Sequence, residues 1–256
     1  MEIRRLETIT RLGLWDCDLS PDGQAVAAVY QEDEGPRLGV WRTTGCDWVR
    51  EVALPGTAIE GPMLPQQTPQ VTYARPRFSP DGRRLAAARK GGGVTVWSLP
   101  DGEMVLDYVP QGGREVATHA FGPSGESIAI AQGNRLELWG IERGEWLWVL
   151  GLAGPIASMR SAANGQLIAV GLRSGGAVVV DLEARHIVAA RPEIAQPVTA
   201  LAFHPSEPQL LAATAPTFLE AGGRLHQAAH GWAYLWDYRT GEDVAGRPVA
   251  THRVNS

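Results

Sequence analysis

The sequence predicts an all-β protein built by repeating one four-stranded unit, and three observations predict it. One motif recurs: "LSPDGQAVAAVY" from Leu19, "FSPDGRRLAAAR" from Phe78, "FGPSGESIAIAQ" from Phe121, "SAANGQLIAVGL" from Ser161 and "FHPSEPQLLAAT" from Phe203. Its turn positions, Pro21, Pro80, Pro123, Ala163 and Pro205, are spaced by 59, 43, 40 and 42 residues, the range of stacked structural repeats. Each copy is followed by a second apolar run ending at Trp41, Trp97, Trp139, Val180 or Trp236. The punctuation is Gly, Pro and Asp, with 30 glycines and 18 prolines in 256 residues, and no segment carries a helical period.

Taken in order, the elements of each unit follow from the chemistry. A short apolar strand leads into a turn such as Pro80-Asp81-Gly82, where proline fixes φ and glycine supplies a positive φ. The second strands, "LAAA", "IAIA", "IAVG" and "LAAT", are apolar at successive positions, as expected of strands covered on both faces. The third strands end at the aromatic position. A second turn follows, "PDGE" at Pro100, "ERGE" at Glu142 and "RTGE" at Arg239, and then a fourth run such as "EWLWVLGL". A lone sheet of this kind cannot shield both faces, whereas sheets fanned round a common axis shield one another. The prediction is a β-propeller forming a single domain over 1–256, with five four-stranded blades at roughly 12–56, 72–110, 115–152, 155–192 and 197–250. "IRRLETI" (Ile3–Ile9) is expected to pair with the last blade and close the ring, which removes free edges. The rival arrangement is an open arc capped by another chain or a second copy.

"FSPDGRRLAAARKGGGVTVWSLPDGE" (Phe78–Glu103) resembles a WD40 repeat, and "YLWDYRTGE" (Tyr234–Glu242) carries that family's Trp-Asp pair. The resemblance covers roughly residues 12–250 in five copies. It implies a mostly non-catalytic ring that holds other macromolecules together. The sequence departs from the family in three ways: no Gly-His dipeptide precedes the repeats, Ala replaces Ser in the second strands, and blade four has Val180 in place of Trp. The family's buried His–Ser–Trp–Asp hydrogen-bond network is therefore expected to be missing, at about 1 kcal/mol for each absent net hydrogen bond. Rings of this family usually have seven blades, against five motifs here.

Composition excludes several classes. A net charge of −5 from 23 basic and 28 acidic residues argues against nucleic-acid binding, which needs a basic face. Lys90 is the only lysine, a bias that a GC-rich coding sequence explains and that points to a bacterium. Cys17 and Cys46 form no CxxC and no disulfide framework. The start "MEIRRLETITRLG" has charges where a signal peptide needs an apolar core, and no run approaches a membrane span. A soluble cytoplasmic protein with no membrane partner is expected.

Interruptions of the repeat point to function, because loops on a rigid scaffold host binding. Blade one carries "YQEDEGPR" (Tyr30–Arg37) and blade five carries "APTFLEAGGRLHQAAHGW" (Ala215–Trp232); the third excess is the linker "LPGTAIEGPMLPQQTPQVTYA" (Leu54–Ala74). In a WD40-like ring these b–c and d–a connections open onto one face, and closure would make blades five and one neighbours. The expected partner-binding residues are Phe218, Leu219, Glu220, His226 and Trp232, Gln66 and Gln67, and Glu32, Asp33 and Glu34. The competing reading is that long loops are tolerated, since doubling a loop costs only about 0.6 kcal/mol.

The first strands carry a second pattern, Asp16 and Asp18 in blade one, Arg75 and Arg77 in blade two and Arg160 in blade four, with Ala120 and Ala202 in blades three and five. Ion pairs between adjacent blades are the favoured reading, and a charged channel mouth gripping a peptide terminus or small anion is the other. His226 and His230 have the spacing of two ligands on a helical turn, with Glu220 the only carboxylate near. A loop without metal is favoured there, and no cofactor is expected. His204 is read as structural. Trp146 and Trp148 of "EWLWVL" either cover a blade junction or form an exposed anchor. No GxSxG, HExxH, P-loop or dinucleotide fingerprint occurs. Asp16, Asp18 and His119 are the nearest approach to a catalytic group. The expectation is a non-enzymatic scaffold or accessory subunit with a protein partner. The alternatives are an open-arc subunit of a homo-oligomer or hetero-complex, and a metal-assisted propeller hydrolase.

Overall fold

The structure, a computed structural model, describes residues 14–32, 35–44, 48–52, 75–88, 92–110, 116–215, 217–221, 224–229 and 231–248. Five four-stranded antiparallel sheets form the blades of a β-propeller. Blade one is β1 (Leu14–Leu19), β2 (Ala25–Glu32), β3 (Gly35–Arg42) and β4 (Trp48–Val52). Blade two is β5 (Arg77–Phe78), β6 (Arg84–Ala88), β7 (Val94–Ser98) and β8 (Met104–Tyr108). Blade three is β9 (Thr118–Phe121), β10 (Ser127–Gln132), β11 (Arg135–Gly140) and β12 (Glu145–Gly151). Blade four is β13 (Ile156–Ser161), β14 (Leu167–Leu172), β15 (Ala177–Asp181) and β16 (His186–Arg191). In blade five, β17 (Val198–Phe203) and β18 (Gln209–Thr214) precede a separate two-stranded ribbon, β19 (Thr217–Ala221) and β20 (Arg224–Ala229). The blade then resumes with β21 (Trp232–Asp237) and β22 (Asp243–Pro248). The expected closing strand, Ile3–Ile9, lies outside the described residues.

In four of the five blades side chains of the first turn stabilise it, and different residues do so in different blades. In blade one the Ser20 hydroxyl donates to Asp22 Oδ1 at 2.6 Å, and that oxygen also accepts the Gln24 N–H. Ser20 Oγ in turn accepts the Ala25 N–H. Blade two repeats the arrangement with Ser79, Asp81, Arg83 and Arg84. In blade four Asn164 Oδ1 accepts the Gln166 N–H. In blade five His204 Nδ1 accepts from Ser206 and Glu207 at 3.3 and 2.9 Å, so this histidine is a turn cap. Blade three instead makes a tight backbone turn in which Ser124 and Gly125 both take positive φ, +54° and +68°, and the Glu126 N–H donates to the Pro123 carbonyl at 3.2 Å.

A second repeated feature sits at the aromatic position. The pairing of third and fourth strands shifts register at Val40/Trp41, Val96/Trp97, Val179/Val180 and Leu235/Trp236. Such a bulge bends the outer strand and raises its twist. It persists at Val180, so the bend belongs to the backbone pattern and does not require the indole. The aspartate of the Trp236-Asp237 pair caps the following turn. Asp237 Oδ1 accepts the N–H groups of Arg239 and Thr240, and Asp181 Oδ1 does the same for Glu183 and Ala184. The buried Trp236 Nε1 has no hydrogen-bond partner among the described residues.

Packing divides the chain into two compact units. The first contains blades one and two with Pro123–Ile128 and Trp139–Leu147, and its core joins Ala27, Val29, Leu38, Phe78, Leu85 and Trp97. The second contains Ala117–Gly122, Ala129–Leu138 and Trp148–Ser256. Its two apolar clusters centre on Leu136, Ile156, Ile168 and Val180, and on Val179, Val198, Leu210 and Trp236.

Candidate functional site

The antiparallel order puts the a–b and c–d turns at one end of every blade and the b–c connections at the other. The longest described b–c connection is the ribbon of blade five. In the sequence it reads as a loop; in the structure it is two paired strands, with Phe218 opposite Gln227, Leu219 opposite His226 and Glu220 opposite Leu225. The signal was present, because Gly222-Gly223 between two apolar-rich runs is a hairpin signature. His226 therefore lies in strand β20 and not on a helical turn, and His230 is outside the described residues.

The base of the ribbon is fixed by a residue that sequence reasoning missed. Thr214, 7% exposed at the end of β18, donates from Oγ1 to Gln196 Oε1 at 2.8 Å and accepts the Trp232 N–H at 2.8 Å. One hydroxyl thus ties both ends of the insertion to the connection entering blade five. Trp232 is 37% exposed, with its ring stacked on Tyr234 at 6.2 Å and 25°. An exposed aromatic on a hydrogen-bonded strand loses little rotamer freedom on contact, which suits a binding anchor.

In blade one the excess lengthens a hairpin: β2 and β3 stay paired out to Glu32 opposite Gly35. Asp33, Glu34, Gln66 and Gln67 lie outside the described residues.

No protein-family model matches the chain, and no curated protein matches it.

One of the first-strand charges, Asp18, reaches across to the neighbouring blade. Asp18 Oδ2 accepts the Phe78 N–H at 2.9 Å, and its Oδ1 is 3.9 Å from Arg77 Nη1, which also donates to the Pro76 carbonyl. Asp16 Oδ1 accepts the Cys17 N–H. Arg75 and Arg160 are half-buried and neither is free. Ala120 is buried and Ala202 exposed. Two further seams use hydroxyls: Ser161 Oγ donates to the Phe121 carbonyl and Ser158 Oγ to the Val198 carbonyl. Blades four and five share a stronger tie. Arg191 Nη2 donates to Asp243 Oδ2 at 2.6 Å, Nη1 lies against Oδ1, and the guanidinium sits 5.8 Å over the Trp236 ring. Asp243, mainly through that hydrogen bond, lies below the usual carboxylate pKa, and Arg191 lies above its own for the same reason. The Ser20 hydroxyl, then the Gln24 N–H, hold Asp22 low as well.

The two outer-strand tryptophans divide. Trp148 is buried in the core cluster of the second unit, while Trp146 is 53% exposed. Among the described residues no group of three or more His, Cys, Asp or Glu is placed to hold a metal ion, and no helix is long and apolar enough to cross a membrane.

Proposed function

We propose that the protein is a non-catalytic interaction scaffold or accessory subunit, a divergent WD40-like propeller of bacterial and cytosolic setting, that docks a protein partner on the ribbon of blade five. The single observation that carries this reading is the ribbon itself. The repeat that makes the other b–c connections short is broken here by a paired insertion, anchored through Thr214 and flanked by the exposed Trp232. Loops tolerated for neutral reasons have no need of such a base. The register devices Asp18–Arg77 and Arg191–Asp243 fit a rigid platform, and the four-stranded blades together with the Trp236-Asp237 pair support kinship with WD40 repeats. The test is affinity capture from the source cell with the wild type and with Phe218→Ala, Leu219→Ala and Trp232→Ala combined. The expected result is loss of the captured protein from a variant whose melting is unchanged; capture at the wild-type level removes the reading.

A second reading, a subunit whose blade five stacks on another chain, is favoured by one observation. Strand β18 is second in its blade, yet Leu211 on it is 40% exposed, whereas the second strand of blade four is buried from Ile168 through Leu172. Solution mass separates the two readings: a stable oligomer converted to monomer by Leu211→Asp supports the second, and a monomer excludes self-assembly.

A further inference from the structure

A cleft of about 660 Å³ opens between the turn ends of blades one and two, within the first unit and at the opposite end of the blades from the b–c connections. That volume is typical of a site for a small molecule or a short peptide. Comparing equivalent positions in consecutive blades shows why the cleft exists. Between blades two and three the gap is plugged: Arg84 Nη1 donates to the Gly125 carbonyl, and Nη2 is 3.7 Å from Glu142. The turns touch there, because a Cβ added to Gly125 would lie 2.7 Å from Ser79 Cβ. Aligning Ser20-Pro21-Asp22-Gly23-Gln24-Ala25 with Ser79-Pro80-Asp81-Gly82-Arg83-Arg84 puts Ala25 at the plugging position of blade one. The turns stand apart accordingly: a Cβ on Gly82, the counterpart of Gly125, would find nothing nearer than Pro21 Cδ at 3.9 Å.

The open seam has a definite chemistry. Its apolar lining comes from Ala25, Val40, Phe78 and Leu99, and two exposed arginines, Arg42 and Arg83, join the same lining. Neither guanidinium has a side-chain partner among the described residues. The two carboxylates of the lining, Asp22 and Asp81, are already engaged by their own turns through Oδ1. Each aspartate thus already spends one carboxylate oxygen on its own turn, which leaves the two guanidinium groups as the less engaged charges of the lining, and guanidinium favours carboxylate in bidentate geometry.

We infer that this cleft binds an acidic peptide segment of a partner protein, with carboxylate side chains on Arg42 and Arg83 and a neighbouring apolar side chain on the surface formed by Phe78 and Leu99. The site is independent of the blade-five ribbon, so either can fail without the other.

The test is fluorescence anisotropy of the full chain with a labelled peptide of alternating Asp and Leu, against a control of alternating Lys and Leu. The Asp/Leu peptide is expected to bind and to weaken with added salt, and the Lys/Leu peptide to bind less. Arg42→Gln and Arg83→Gln, both at exposed positions, should each weaken binding about tenfold or more, the loss expected on removing a charge-assisted hydrogen bond. Ala25→Arg, which copies the plugged seam, should abolish binding without lowering the melting temperature. The ribbon substitutions should leave it unchanged. Absence of binding to the Asp/Leu peptide, equal or tighter binding of the Lys/Leu peptide, or wild-type affinity in both arginine variants would each overturn the inference.

Discussion

At Gly175 the backbone leaves no room for a side chain: φ is +94° and an added Cβ would fall 2.1 Å from the Ile194 carbonyl oxygen. Both the left-handed conformation and the close approach oppose any other residue, so Gly175→Ala should cost about 2 kcal/mol or more. Thermal or urea unfolding checks this, and wild-type stability would contradict it. The charges at residue scale predict a pH effect with a definite sign. Asp243 is held below its ordinary pKa by Arg191, so its contribution is complete above the ordinary value and is lost as pH falls through the lowered one. Its side chain is 56% exposed, which screening limits to within about 1 kcal/mol. Urea midpoints measured from neutral pH down to the acid limb should therefore converge for wild type and Asp243→Asn at low pH and separate at neutral pH; a constant difference would contradict the pairing. At this scale the sequence was partly legible. Asp18 and Arg77 stood out by their signs. Arg191 and Thr214 did not, because nothing local marks a side chain whose partner lies 52 or 18 residues away, at Asp243 or Gln196.

Among the elements, the turns and strands were the most legible part, since Ser-Pro-Asp-Gly states its own hydrogen bonds and the apolar runs state their burial. The bulge at the aromatic position was hidden, because register is a property of two strands together and only the backbone displays it. Val180 shows the consequence. It occupies the Trp position but is fully buried among Leu136, Ile156 and Ile168 in a core built for its size. Restoring the repeat by Val180→Trp should therefore destabilise by about 1–3 kcal/mol through overpacking, measured by chemical unfolding, whereas a gain in stability would show a vacancy. The ribbon was misread as a loop because its length was weighed and its Gly222-Gly223 centre was not.

For the whole molecule, five motif copies foretold five blades, because each copy contains a full set of four strands and its turns. The cleft between blades one and two was not foretold. It arises from one small residue, Ala25, where the next blade has Arg84, and such a difference matters only once neighbouring turns are placed side by side. The repeat thus builds the platform, and its exceptions, one insertion and one missing side chain, supply the surfaces proposed for binding. The most direct measurement replaces 216–230 with an Asn-Gly turn and quantifies proteins captured from the source cell by this chain and by the wild type. The account predicts a chain with unaltered melting that loses a partner held by the wild type. The same proteins recovered in the same amounts from both chains would contradict it.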